Sequence, residues 1–313
     1  MADRDVKWGI VSTIKADART VLEFAAYHLD LGAHRLHIYL DEPNPEAYGH
    51  LKQHPKVRVT VCDSAYWKRH NRNRPAKHQF RQTLNATHAY ERIQTDWIAH
   101  IDADEFLWPE TDLGQMLAAL PGGIQSARVR PVEALAGRDG EFKAMVPKGP
   151  DRETEVRALY PAFGSFLKGG FLSHTTGKVF ARTGLTNAEL RIHNLFLDGE
   201  KAAATCELDQ ADLCHCHAAS WEHWQSVYRF RLQRGSYRPG LSAGFSRLLG
   251  GLSAHELLSL IEEEHGAEGL RGFFDEVSAR DPDVYRKLQD RGLLRIRRLG
   301  LEEKRQKHFP GFG

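Results

Sequence analysis

Two carboxylates one residue apart close an apolar run: Trp97-Ile98-Ala99-His100-Ile101 leads into Asp102-Ala103-Asp104-Glu105, and Phe106-Leu107 follow. Side chains alternate along an extended chain, so the spacing predicts that Asp102 and Asp104 point the same way. Such a pair can hold a hard divalent cation through oxygen, and carboxylate with phosphate oxygens suits Mg2+ or Mn2+. The cation would neutralise a bound diphosphate and, as a Lewis acid, stabilise it as a leaving group. An isolated Asp-x-Asp also occurs as a helix cap or a solvated turn; its place after an apolar strand favours the chemistry. Glu105 falls on the opposite face, which predicts a loop-fixing or structural ion-pair role.

Further groups invite chemistry. Lys77 and Arg81 are four apart and share one helix face, where they can meet diphosphate or an anionic acceptor. They follow a basic stretch from Trp67 to Lys77, and a second basic run extends from Arg295 to Lys307. Either run can be a solvated face or a seat for an anion. Cys214-His215-Cys216-His217 looks like a zinc motif, with Cys206 as an extra ligand, but consecutive residues of a strand face opposite ways and cannot all converge. The spacing favours a buried strand with one functional histidine. For the carboxylate that would take a proton from an attacking hydroxyl, Glu133 is a candidate, with Asp139 and Glu222 behind it. His28 lies on an apolar helix stripe and reads as a core histidine. Trp221 and Trp224 read as core before they read as stacking platforms.

The elements that must position these residues follow from periodicity. Strands are expected at Trp8–Ile14, Leu36–Leu40, Val57–Cys62, Ile98–Ile101 and Ala127–Val132. Between them Asp17 caps a helix that Gly32 stops, a second helix covers about 46–53, a third about 77–93, and Asp112 caps a short fourth. Alternation of strand and helix over the first 135 residues indicates an α/β layer with a mainly parallel sheet. Ligands of such sheets bind beyond the carboxyl ends of the strands, where Ser12 to Asp17, Asp41 and Asp102 to Glu105 collect. The segment 136–190 reads as loops and short strands, and from about 218 the pattern is helical.

The chain has 313 residues, 41% apolar and 27% charged, with a formal net charge of +2. That balance is globular and gives no global pull on nucleic acid. Neither a G-x-G-x-x-G after the first strand nor a P-loop is present, which excludes the common dinucleotide and NTPase fingerprints. Four cysteines form no disulfide framework for this length and fit a reducing compartment. Met-Ala-Asp-Arg-Asp at the start has no apolar leader core, and no run approaches the roughly 18 apolar residues of a membrane span. The expectation is a cytoplasmic protein, with peripheral contact at the anionic inner face of a membrane left open.

The blocks together resemble the glycosyltransferase family 2-like group related to family 92 (DUF23-type). They are Lys15-Ala16-Asp17, Glu23-Phe24-Ala25-Ala26-Tyr27-His28-Leu29-Asp30-Leu31-Gly32, Ile38-Tyr39-Leu40-Asp41, Trp97 through Leu107, and His215-Cys216-His217-Ala218-Ala219-Ser220 followed by Arg234-Gly235. The similarity spans about residues 8–235; Ala16, Asp17 and Cys216 depart from the residues usual in that pattern. The resemblance implies a GT-A-type (Rossmann-like) α/β fold over 1–217, with a nucleotide-sugar half at about 1–110 and an acceptor half at about 111–217. A helical extension covers 218–313. It further implies a sugar moved from a nucleotide donor, a UDP-sugar in this reading, to a saccharide or lipid-linked hydroxyl, with Mn2+ or Mg2+ and inversion at the anomeric carbon. In that scheme Asp102 and Asp104 meet metal and donor, with Asp104 central to catalysis. Ser12, Thr13, Lys15 and Asp41 line the nucleoside pocket, Lys178 contacts phosphate, and His215, or else His193, completes the metal shell. The alternatives are a nucleotidyl or phosphoryl transferase, and a non-catalytic nucleotide-sugar or carbohydrate-binding protein of the same fold.

Overall fold

The computed structural model describes residues 5–241 and 251–312; apart from Asp5, the N-terminal residues read above for a leader lie outside them. β1 (Trp8–Ile14) is buried along its whole length. The Asp17 side chain accepts from the Thr20 N–H and starts α1 (Ala18–Asp30), which stops before Gly32. Gly32 has φ +104°, a conformation that costs glycine nothing. β2 (Arg35–Leu40), α2 (Pro45–Gln53) and β3 (Val57–Val61) follow. Asp63 caps α3 (Ser64–Arg69), a short helix inside the stretch that its charges had marked only as basic. Next come α4 (His78–Tyr90), β4 (Trp97–His100), β5 (Glu105–Pro109) and α5 (Leu113–Ala118), which starts on Asp112. Then follow β6 (Ser126–Ala134), β7 (Glu141–Ala144), α6 (Arg152–Leu159), β8 (Lys178–Arg182), β9 (Ala188–Leu190), β10 (Leu195–Leu197), β11 (Glu200–Lys201) and β12 (Thr205–His215). The chain ends with α7 (Trp221–Gln233), α8 (Ala254–Val277), α9 (Pro282–Asp290), β13 (Leu294–Ile296) and α10 (Leu301–His308).

The chain divides into two compact units: residues 1–130, 176–213 and 299–313 form the first, and 131–175 and 214–298 the second. The chain passes from one unit to the other four times, after residues 130, 175, 213 and 298.

In the first unit β3, β2, β1 and β4 run parallel in that order, with Ser12 opposite Ile38 and Val11 opposite His100. β8 and residues 126–129 of β6 add antiparallel. This is the expected mainly parallel sheet flanked by helices. One core joins Val11, Ile98, Val179 and Ala181 of the sheet to Ala86, Ala89 and Tyr90 of α4. The small sheet β9–β10–β11 joins it through Leu190 and Leu195. His28 is fully buried, its Nδ1 2.9 Å from the Phe24 carbonyl and its ring stacked on Phe106, as a core histidine should be. Burial pushes its pKa down to about 4. α10 packs on α1, with Lys307 2.6 Å from Asp30 and an Arg19–Glu302 pair.

The second unit holds residues 131–134 of β6, β7 and β13 in an antiparallel ribbon, with α6 to α9. Its core gathers Tyr160, Trp224, Tyr228, Tyr237, Phe273, Phe274 and Val277. Trp224 is core, and Trp221 stacks on it at 5.4 Å. α6 is a helix where loops were expected; only Val156 and Leu159 of its eight residues are buried, too few to print a stripe in the sequence. Among the described residues no helix is long and apolar enough to cross a membrane.

Candidate active site

β4 ends at His100, and residues 101–104 lie outside any strand, with a turn at Ala103 and Asp104. The Glu105 N–H returns to the Asp102 carbonyl at 3.0 Å, so the two aspartates sit in a turn between β4 and β5 rather than along one strand face. The turn is tied from three sides. Asp102 Oδ1 accepts from Gln82 Nε2 at 2.6 Å, and Oδ2 from Lys178 Nζ at 2.5 Å. Glu105 is wholly buried; its Oε2 accepts from the Asp102 N–H at 2.9 Å and lies 3.2 Å from Lys178 Nζ. This is the loop-fixing and ion-pair role expected of Glu105. Burial works against a charge on Lys178, but Asp102 and Glu105 outweigh it and push the pKa up, so it stays an ammonium. Gly177 sets its position: φ is +74°, and a Cβ there would collide with the Val129 carbonyl. The His193 Nδ1 lies 2.9 Å from the Gly177 carbonyl, and Arg128 donates to the His193 carbonyl at 2.9 Å.

The ends of β1 and β2 meet α4. Ser12 and Thr13 are buried, and Thr13 Oγ1 accepts from Asn85 Nδ2 at 3.0 Å while Asn85 Oδ1 accepts from the Tyr66 hydroxyl at 2.7 Å. Asp41 is buried and takes a two-pronged hydrogen bond from Arg81, at 2.8 and 2.5 Å. Arg74 reaches its carbonyl and its Oδ2, each at 3.1 Å. Burial alone would raise the Asp41 carboxyl, but His78, Arg81 and Arg74 hold it well below the usual range. Arg81 is thus an organiser of Asp41, with its guanidinium turned inward. Lys15 pairs with Glu42 at 2.6 Å on the surface, beside a cleft of about 260 Å³ lined by Ile14, Lys15, Ala16, Leu40, Glu42 and Asn44. Lys77 is exposed at the start of α4.

The second unit carries the other expected residues. Glu133 is buried; Oε1 accepts from the Leu172 N–H at 3.1 Å and Oε2 from the Ser173 N–H at 2.7 Å. Lys143 Nζ lies 3.2 Å from Oε1 and donates to the Val277 carbonyl at 2.5 Å. Lys143 and these N–H donors overcome burial and lower the Glu133 pKa. His215 is buried, with rings of His174 and His217 at 4.9 and 5.1 Å. His217 Nε2 is 2.7 Å from the Tyr237 hydroxyl. Among the described residues no group of three candidate metal ligands includes a cysteine, whereas His215 and His217 belong together to one such group.

Residues 11–123 match the model of glycosyltransferase family 92. Over this segment the chain is similar to the family 92 glycosyltransferases. The matched segment starts within β1, ends just past α5, and contains the acidic turn, Asp41 and all of α4. Curated proteins give no match. Among solved structures, HddC from Yersinia pseudotuberculosis is similar at 12% identity and TM-score 0.33, covering 72% of this chain and 99% of its own. GlyE of Streptococcus pneumoniae is similar at 12% identity and TM-score 0.28, covering 56% and 34%. The galactosyltransferase LgtC, with donor and acceptor sugar analogs, is similar at 14% identity and TM-score 0.27, covering 56% and 57%.

Of the α4 residues that hold the site together, Arg81 was expected to meet an anion, whereas His78, Gln82 and Asn85 carry no such mark in the sequence analysis. His78, Arg81, Gln82 and Asn85 recur at spacings of three, four and seven, a polar stripe at helical period. Arg81, Gln82 and Asn85 are buried, and each grips a residue at a strand end. A polar stripe opposite an exposed Phe80 was the available signal: in an ordinary surface helix the two would change places. His100 was also passed over; it is 1% exposed, and burial with Lys178 nearby drives its pKa to about 4.

Proposed function

We propose that this chain is a glycosyltransferase that moves a sugar from a UDP-sugar to a hydroxyl of a saccharide or lipid-linked acceptor, with Mn2+ or Mg2+ at the acidic turn. The observation that carries this reading is the Asp102–Asp104 turn, braced by Lys178, Gln82 and Glu105 beyond the carboxyl ends of parallel strands. The donor set fits a hard cation, and it fits unequally. An ammonium 2.5 Å from Asp102 Oδ2 repels a dication there, so Asp102 suits a ribose hydroxyl or a metal-bound water and Asp104 suits the cation itself. When bound, the cation supplies charge neutralisation to the departing diphosphate. We assign His215, with His193 as the alternative, as its histidine partner.

The cleft beside Lys15 and Asn44, next to the ends of β1 and β2, suits the nucleoside. Ser12, Thr13 and Asp41 act on it through the backbone they fix, because the Thr13 and Asp41 side chains already hold Asn85 and Arg81. Lys178 reads as the brace of Asp102, and Lys77 remains the exposed cation available to a phosphate. Glu133, with Lys143 and two backbone N–H groups on its oxygens, suits an anchor better than a proton acceptor. We carry inversion at the anomeric carbon by family resemblance alone.

Calorimetric titration of UDP tests this: binding in the presence of Mn2+ and none in EDTA is expected, with Asp104→Asn abolishing it. Equal binding by Asp104→Asn would remove the metal assignment. Slow release of UDP from the right donor without acceptor separates a transferase from a binding protein of the same fold.

A further inference from the structure

The sequence has two basic runs, and the structure treats them differently. In the C-terminal run most of the charges have partners within the chain. Arg305 is 4% exposed and donates to the Phe312 carbonyl and Glu302; Lys307 pairs with Asp30. Lys304 donates to the Leu299 carbonyl, and Arg295 to the carbonyls of Gly292 and Leu294. In the first run Lys68, Arg69, Arg72 and Lys77 are all exposed, and none of them has a carboxylate at ion-pair distance among the described residues. Phe80, one of four exposed large apolar side chains among the described residues, stands 50% exposed on the first turn of α4, three residues after Lys77. The same turn sends Arg81 and Gln82 inward to Asp41 and Asp102.

We propose that the α3–α4 segment, with the exposed Lys68, Arg69, Arg72, Lys77 and Phe80, docks this chain on an anionic lipid surface. Unpaired cations are drawn to the negative potential of such a surface within a Debye length. An aromatic ring gains by resting at the headgroup level, where its apolar face leaves water. A single exposed aromatic gives no stacking platform for successive bases, so lipid fits better than a nucleic acid strand. The trapped Trp67 and Tyr66 give the patch a rigid floor: both are buried, and Trp67 Nε1 donates to the Cys62 carbonyl at 3.0 Å. Lys77 is shared with the donor reading, while Lys68, Arg69, Arg72 and Phe80 stand apart from it.

Co-sedimentation of the full chain with phosphatidylcholine vesicles, with and without phosphatidylglycerol, is the test. Binding should need phosphatidylglycerol and fall steeply with salt. Arg69→Glu with Arg72→Glu should lower the bound fraction about tenfold or more. Phe80→Ser should weaken it severalfold while leaving the salt dependence in place. These side chains are exposed, and an unchanged thermal melt of each variant will show that folding is intact. Arg297→Glu with Arg298→Glu, beside the exposed Ile296, is the opposing arm and should leave binding unchanged. Absence of phosphatidylglycerol dependence overturns the proposal. So does loss of binding in the C-terminal pair but not in the Arg69/Arg72 pair, or capture of single-stranded nucleic acid in place of vesicles.

Discussion

Lys178 and Lys143 are each 1% exposed, each paired with carboxylate, and each held charged against burial. Their partners differ. Glu133, opposite Lys143, is 3% exposed and closed over by the Leu172 and Ser173 N–H groups, with the rings of Tyr160 and Phe171 beside the ammonium. Lys178 has one closed partner, Glu105, and one open one: the Asp102 side chain is 27% exposed. A buried lysine therefore does not mark a site. What marks it is a carboxylate that the lysine fixes in place and that solvent, or a ligand, can still reach.

The contrast is easiest to break at Glu133. Glu133→Gln leaves Lys143 buried without its counter-charge and should cost about 4 kcal/mol in urea unfolding, within the usual range for a broken buried pair. Asp102→Asn should cost about 1 kcal/mol or less while abolishing UDP binding, because water can reach the site of the change. Equal losses of stability would erase the distinction between anchor and site.

Acid separates the pair from the rest of the core. His28 and His37 are held neutral with pKa values pushed by burial from 6.5 to about 4. The unfolded chain takes up protons first, so stability is full above pH 6.5 and falls between there and pH 4. That loss is at most about 3 kcal/mol per histidine, at 1.36 kcal/mol for each pKa unit. It should be common to the wild type and Glu133→Gln. The gap between the two proteins should behave differently. The Glu133 pKa is lowered from 4.5, so its contribution is present above that value and lost as pH falls below it. Urea midpoints of both proteins from pH 7 to pH 4 check both statements.

Arg81→Leu strips the two-pronged donor from Asp41 but leaves Arg74 and His78, so a loss of about 2 kcal/mol is expected, read as a lower melting temperature. Restoration of part of it by adding Asp41→Asn would confirm that the cost is an uncompensated carboxylate. The smallest effect belongs to Gln82→Ala. Asp102 keeps Lys178 and loses only an orienting hydrogen bond, which should weaken UDP binding by about 1 kcal/mol, several-fold, with the unfolding midpoint unchanged.

Much of this architecture is legible in the residues. Trp8–Ile14, Leu36–Leu40 and Trp97–His100 are apolar runs bounded by turn or cap residues, and the Asp17, Asp112 and Ser220 side chains cap helices by accepting from N–H groups three residues on. These are local signals. Whatever depends on which distant residue arrives is not written locally. Glu133 looks like a carboxylate after a strand until Lys143 and the 172–173 backbone close on it. Arg81 looks like a surface arginine until Asp41 arrives from forty residues before. The Asp102–Asp104 turn hides because Ile101 and Phe106 are apolar enough to continue a strand, and only Glu105 reaching back to the Asp102 N–H bends it.

α10 also bears on the order in which the chain can finish folding. Residues 299–313 are the last of this sequence to leave a ribosome, yet they cover α1, close to the first. During synthesis the Asp30 and Arg19 face of α1 must wait in water for Lys307 and Glu302, long after the parallel strands have been made. The first unit therefore closes with a seal supplied last, and contacts so far apart in the sequence form slowly. A nascent chain stalled before Leu299 should leave the amides of α1 open to exchange, and emergence of residues 299–313 should protect them.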